Sequence, residues 1–237
     1  MSNGYFRFKQ FTVYQDQCAM KVGIDGVLLG SWVKTEYSKR ILDIGSGTGL
    51  IALMIAQRSD SFIDAIDIDE KAVFQAKENV SNSPWSNRIS VQKISLQDFV
   101  KKKPEPYDLI VSNPPYFNNS TKAPTDNRTL ARHTDSLSHE ELIENAILLL
   151  KPTGRICIIL PVVESLHCIS YALNKGLFCS KHCSVYPTPG SRIKRVLIEF
   201  SQQNTERITT ELTIENGIRH QYSPQFIEMA KEYYLKL

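Results

Sequence analysis

Asn113-Pro114-Pro115-Tyr116 joins a side-chain amide, two prolines and an aromatic ring directly after the apolar run Tyr107 to Ser112. The prolines fix φ and remove two backbone donors, so nearby carbonyls are left to accept hydrogen bonds from something other than their own chain. Such a group suits a planar NH2, either the exocyclic amine of adenine or a side-chain amide. An exocyclic amine is a poor nucleophile because its lone pair is delocalised into the ring. Asn113 and the Pro114 carbonyl, as acceptors for its N–H bonds, would localise that pair and stabilise positive charge developing on nitrogen. Pro115 stiffens the turn. Tyr116, helped by Phe117, would stack on an extruded base and set its plane.

A second group lies upstream. Gly45-Ser46-Gly47-Thr48-Gly49 follows an apolar run and opens a helical pattern, so backbone N–H groups can approach a cofactor without a Cβ in the way. Asp67 stands at the end of the next apolar run, roughly 20 residues on, where a carboxylate accepts hydrogen bonds from ribose hydroxyls. Asp69 competes for that role or caps the following helix.

The stretch from Asn118 to Ser138 is long and polar for a simple connection, and it carries Lys122, Arg128, Arg132 and His133. These, with Arg192, Lys194 and Arg195, are candidate RNA-phosphate ligands. Lys101-Lys102-Lys103 reads rather as a solvated face. Lys181-His182 would extend the positive surface. Cys179-x-x-His182-Cys183 offers three ligand types in a β-rich run with no fourth nearby, so no metal is expected.

Positioning these groups requires a scaffold. The chain has 237 residues, 42% of them hydrophobic, which suits one α/β domain. A net charge of +3 is compatible with nucleic acid only if the cations cluster. Five cysteines form no CxxC pair, and the N-terminus has no long apolar stretch, so a cytoplasmic protein with no membrane span is expected. Predicted strands are Arg40 to Ile44, Phe62 to Asp67, Ile89 to Gln92, Tyr107 to Val111 and Arg155 to Leu160. Helical spacing covers Leu50 to Arg58, Lys71 to Val80, Glu140 to Leu150 and Glu164 to Asn174. This alternation predicts a doubly wound parallel sheet. Phe178 to Tyr186 and Val196 to Ser201, joined by 187–191, predict an antiparallel pair at a sheet edge. Phe6 to Val13 reads as a small hairpin, and Val27 to Val33 as a short helix. The expected layout is an N-terminal extension (1–38), a core (39–201) and a C-terminal strand/helix appendage (202–237).

The Gly-x-Gly-x-Gly loop with Asp43 before it, Asp67 and the Asn-Pro-Pro-Tyr segment together resemble class I S-adenosylmethionine-dependent methyltransferases. That resemblance implies a Rossmann-like, seven-stranded, mostly parallel sheet with an antiparallel edge strand, and S-adenosyl-L-methionine as cofactor. It places Asp43, Gly45, Ser46, Gly47, Asp67, Ile68 and Asn113 around the cofactor, with Asp98, followed by Phe99, near its adenine. Phe8 to Phe11 and the stretch from Cys18 through Lys21, Asp25 and Gly26 to Trp32 narrow the resemblance further. They are similar to the opening of the bacterial tRNA1(Val) adenine-37 N6-methyltransferases, and Ser83-Pro84-Trp85, Ala131-Arg132-His133, Arg192 to Phe200 and the closing Tyr222-Ser223 resemble later segments of the same family. Ile24 stands where that family commonly has Thr. The resemblance implies Lys21, Asp25 and Gly26 as cofactor-lining positions, tRNA as partner and adenine N6 as methyl acceptor. Two alternatives share the proline motif. A guanine-N2 rRNA methyltransferase is one. A glutamine-N5 protein methyltransferase is the other, although it would carry a helical domain ahead of the core, and the first 40 or so residues do not read as one. Oligomeric state is not legible.

Overall fold

The computed structural model describes residues 3–18, 21–115 and 137–237. Tyr5–Arg7 (β1) and Thr12–Tyr14 (β2) pair as the antiparallel hairpin expected from the alternating aromatics. Ile24–Trp32 (α1) follows. The core then runs Arg40–Ile44 (β3), Leu50–Gln57 (α2), Phe62–Asp67 (β4), Glu70–Ser81 (α3), Ile89–Lys93 (β5), Leu96–Lys101 (α4) and Tyr107–Ser112 (β6). After it come His139–Leu149 (α5), Leu150–Leu160 (β7), Val162–Asn174 (α6), Phe178–Tyr186 (β8), Arg195–Ser201 (β9), Ile208–Thr213 (β10) and Pro224–Ala230 (α7).

The large sheet has the order β10-β8-β9-β7-β6-β3-β4-β5. All neighbours are parallel except that β9 runs antiparallel to both β7 and β8. The doubly wound, mostly parallel architecture is thus as expected, with two differences in detail. The sheet has eight strands rather than seven, because β10 adds to the free edge of β8. The antiparallel strand is therefore interior rather than at the edge.

Strand alternation divides the core into two layers. Ile41, Ile63, Ala65, Leu109, Val111, Cys157 and Ile159 face the layer built with α1, α2 and α7. Leu42, Ile44, Ile66, Ile110, Ile156 and Ile158 face the layer built with α4, α5 and α6. Because both faces are covered, the central strands are continuous apolar runs. Helix α2 (LIALMIAQ) is buried along nearly its whole length because α1 covers it. Gly26 and Gly30 permit that approach: a Cβ would meet Leu50 Cδ2 at 2.9 Å and Met54 Sδ at 2.7 Å, respectively. Helix α5 begins with a capping box, Ser138 with Glu141, and passes directly into β7.

Candidate active site

Ile44 pairs with Ile66 of β4 and with Ser112 of β6. Three adjacent parallel strands therefore end level, and the segments that leave them, 45–49, 67–69 and 113–115, emerge side by side at the carboxyl edge. Ligands of open α/β sheets bind at this edge. Ser112 donates its hydroxyl to the Ile44 carbonyl at 2.8 Å, tying the strand before Asn113 to the strand before the glycine loop.

The glycine loop has a backbone that side-chain-bearing residues adopt with strain. Gly45, Gly47 and Gly49 have φ of 70°, 55° and 79°. A Cβ at Gly45 or Gly47 would touch nothing within 4 Å, so the loop faces open space. The Gly45 and Ser46 N–H groups donate to the Ile66 carbonyl at 2.9 and 3.1 Å. The Gly47 N–H donates to Asp67 Oδ2 at 2.8 Å, and Asp67 Oδ1 accepts the Asp69 N–H at 2.9 Å. Each carboxylate oxygen keeps lone-pair capacity for a hydroxyl. Asp69 accepts the Lys71 N–H at 2.9 Å and caps α3. Ile68, 53% exposed, offers an apolar face between the two acids.

Asp43 is buried behind the loop, with Oδ2 accepting the Ala52 N–H of α2 at 3.2 Å. Burial pushes its carboxyl up to about 7 against that hydrogen bond, and the nearby Asp67 charge adds to the rise. Asp43 Oδ1 and Ser46 Oγ are buried and have no hydrogen-bond partner among the described residues. An acceptor and a hydroxyl left unsatisfied at the loop fit the ammonium and carboxylate of an amino-acid-bearing cofactor such as S-adenosylmethionine.

The N-terminal segment is strapped onto this edge. Asn79 of α3, 1% exposed, donates to the Tyr14 and Thr48 carbonyls at 2.9 Å each and accepts the Tyr14 N–H at 2.8 Å. One amide thus joins β2 to the glycine loop. Gln75, one turn earlier, accepts the Gln17 N–H at 3.1 Å. Gln15 accepts the Val22 N–H at 2.6 Å, and Lys21 donates its Nζ to the Gln15 carbonyl. Sequence reasoning did not single out Gln15, Gln75 or Asn79. The signal was there for two of them: polar residues four apart on the face of α3 that also carries Ala72, Ala76 and Val80.

The other expected residues are placed as follows. Asn113 is half-buried, Pro114 buried and Pro115 exposed at the exit of β6. Tyr116, Phe117, Lys122, Arg128, Arg132 and His133 lie outside the described residues. Asp25 sits in the first turn of α1 and pairs with Arg195 Nε at 2.9 Å. An expected cofactor residue and an expected RNA ligand therefore meet each other, and Arg195 is in part committed to the fold. Gly26 packs on Leu50, the first residue after the glycine loop. Asp98 accepts the Ser95 hydroxyl at 2.9 Å and pairs with Lys101 at 2.7 Å. Its carboxyl is held below the usual range by Lys101 and then by Ser95, and these bonds give it a local helix-start role as well. Arg192 and Lys194 are exposed in the β8–β9 connection. Lys181 does not extend this surface. It lies near the start of β8 and pairs, with Arg155, to the buried Glu199 at 3.1 and 2.9 Å.

The three potential metal ligands of β8 do not converge. A register shift between Cys179 and Lys181 leaves Cys183 in one core layer and Cys179 against the other. A depression of about 870 Å³, lined in part by Arg40, Phe62 and Lys151, lies at the opposite, amino end of the strands and is remote from these groups. No helix among the described residues is long and apolar enough to cross a membrane.

The chain matches the family model "Methyltransferase small domain" over residues 18–170. It is 50% identical over 238 residues to a tRNA1(Val) (adenine(37)-N6)-methyltransferase of Parabacteroides distasonis, with 100% of each chain covered. It is 47% identical over 239 residues to the protein of that name in Trichodesmium erythraeum, again with 100% of each covered. A predicted O-methyltransferase from Agrobacterium tumefaciens superposes with a TM-score of 0.69 at 18% identity, covering 88% of this chain and 96% of the other. A glycopeptide N-methyltransferase complexed with S-adenosyl-L-methionine gives a TM-score of 0.55 at 11% identity, covering 75% and 94%. These two similarities concern the fold.

Proposed function

The chain belongs to the tRNA1(Val) (adenine(37)-N6)-methyltransferase family, and from that premise we infer that it methylates N6 of adenine 37 in tRNA1(Val) through Asn113 and the Pro114 carbonyl. The methyl donor is S-adenosyl-L-methionine, whose sulfonium supplies an electrophilic methyl group when bound. The observation that carries the residue assignment is the level ending of β3, β4 and β6, which sets Asn113 beside the glycine loop and Asp67.

In this reading Gly45, Ser46 and Gly47 receive the donor, with Asp43 behind them, Asp67 facing the ribose, and Ile68 and Asp98 bordering the adenine. Lys21, Asp25 and Gly26 close the site from the N-terminal segment. Asn113 and the Pro114 carbonyl accept the two N–H bonds of the target amine, turning its lone pair toward the methyl group. Positive charge that develops on N6 as it takes up the methyl group would lie beside these two fixed acceptors. The product ammonium is strongly acidic and loses its proton to water, so no dedicated base is required. Pro115 holds the turn and Tyr116 stacks on the extruded base. Lys122, Arg128, Arg132 and His133 bind RNA phosphates, and Arg192 and Lys194 add further phosphate contacts. The chain forms a single methyltransferase domain and acts in the cytoplasm.

The test is methylation of total tRNA from a strain lacking the gene, followed by nucleoside mass spectrometry. N6-methyladenosine at position 37 is expected. N2-methylguanosine, or label on protein alone, overturns the assignment. Asn113→Ala should lower kcat by roughly 100-fold or more; full retention would remove Asn113 from the mechanism.

A further inference from the structure

Two loops leave the same carboxyl edge beyond the catalytic motif. Residues 187–194 follow β8, and residues 214–223 follow β10, which is parallel to β8 with Tyr186 opposite Thr213. The loops are bonded side by side: the Ile214 N–H donates to the Tyr186 carbonyl and the Glu215 N–H to the Pro187 carbonyl, both at 2.9 Å. Each tip is built rather than slack. Ser191 Oγ donates to the Thr188 carbonyl at 2.6 Å and accepts the Thr188 N–H at 3.2 Å. The second loop closes through a bridge between Glu215 and Tyr222, and Tyr222 stacks on Phe226 of α7 with centroids 4.8 Å apart. At its tip His220, not a glycine, has φ of 66°, with its N–H held by Glu215 Oε1 at 3.0 Å. Strain of this kind persists where surrounding bonds over-determine it, and such positions cluster at functional sites.

These tips hold Arg192, Lys194 and Arg219, all exposed and with no ion pair among the described residues. Glu215, in the second loop, accepts the His220 N–H and pairs with none of these cations among the described residues. We propose that the paired loops form a second RNA grip, in which Arg192, Lys194 and Arg219 bind backbone phosphates of the tRNA outside the target nucleotide. This rests on the tRNA reading above. Strand spacing sets the distance: β8 is three strands and β10 four strands from β6, so the loops lie roughly 14 to 19 Å from the proline motif. That is too far to touch the methylated base and suits phosphates a few nucleotides away. Arg195, at the start of β9, is paired with Asp25 and is left out of the grip.

The experiment measures the affinity of the full chain for tRNA1(Val) transcript across a salt series, for wild type, Arg192→Ala, Arg219→Ala and the double variant. Lys77→Ala, on the exposed face of α3, is the control. Each loop variant should weaken binding roughly 3- to 10-fold and flatten the slope of log affinity against log salt by about 0.7 to 0.9, with the double variant summing the two changes. The KM for tRNA should rise while kcat at saturating tRNA and affinity for the methyl donor stay unchanged. Affinities and slopes equal to wild type would overturn the grip. An equal loss on an RNA trimmed to the target nucleotide and its two immediate neighbours would overturn its placement outside the target nucleotide. If wild type bound tRNA but methylated guanine, the proposed function would fall while the slopes still decided the grip; if wild type bound no tRNA, both would fall.

Discussion

Asp43→Asn should make the ligand-free protein more stable at pH 8 while weakening its hold on the methyl donor. In the folded state the Asp43 carboxyl is pushed from 3.8 up to about 7, chiefly by burial, with Asp67 adding to the rise. The folded chain therefore holds this proton more tightly than the unfolded chain does. Its stabilising contribution is fully present below about pH 3.8 and is lost as pH rises through about 7. Each tenfold difference in proton affinity between the two states is worth about 1.4 kcal/mol, so the charged carboxylate costs at most about 4 kcal/mol above neutrality. Asparagine removes the charge but brings an NH2 to a place where Oδ1 has no partner, which returns about 1–3 kcal/mol. A net gain of about 1–3 kcal/mol at pH 8 is expected, shrinking to nothing or reversing at pH 5. Urea unfolding of both proteins at the two pH values measures it. On the proposal that Asp43 accepts from the donor ammonium, calorimetry with S-adenosylmethionine should show roughly 10-fold or greater loss of affinity, that bond being a charge-assisted one. Parallel stability profiles for the two proteins between pH 5 and 8 would refute the reasoning.

Asn79→Asp keeps the acceptor for the Tyr14 N–H but turns a carboxylate toward the Tyr14 and Thr48 carbonyls. It should cost about 3 kcal/mol and raise hydrogen exchange in 14–17 and in the glycine loop together; exchange confined to 14–17 would break the proposed link. Glu199→Gln leaves Arg155 and Lys181 without the buried carboxylate that both contact. The loss should be about 2–4 kcal/mol, moderated because both cations are partly exposed, and urea unfolding should find it without any change in donor affinity.

The legible parts of this protein are those in which a residue's role is decided by its near neighbours. Continuous apolar runs mark the central strands because each must face two core layers, and the glycines at 45, 47 and 49 mark a backbone with positive φ. The bond from the Gly47 N–H to Asp67 follows from the spacing of that acid to the loop. The short α4, only 6 residues long, carries too little periodicity to be read. The place of β10 depends on pairing with β8, and nothing within either segment states it. Most of what was missed lies in contacts that join distant parts of the chain. Asn79 bonds to Tyr14 across 65 positions, and Arg195 to Asp25 across 170.

The Arg195–Asp25 contact also limits what charge and motif alone can assign. As one cation in a basic run, Arg195 reads as a phosphate ligand, and Asp25, in a segment that resembles a cofactor border, reads as a cofactor ligand. Folding puts them 2.9 Å apart with both side chains largely covered. Releasing Arg195 to an RNA phosphate would leave Asp25 a half-buried charge without this counterion. Arg192 and Lys194 carry no such debt. The RNA surface proposed for this edge therefore rests on which cations the fold leaves without an acid, and Arg219, brought there by the β8–β10 pairing, meets that condition where Arg195, paired with Asp25, does not.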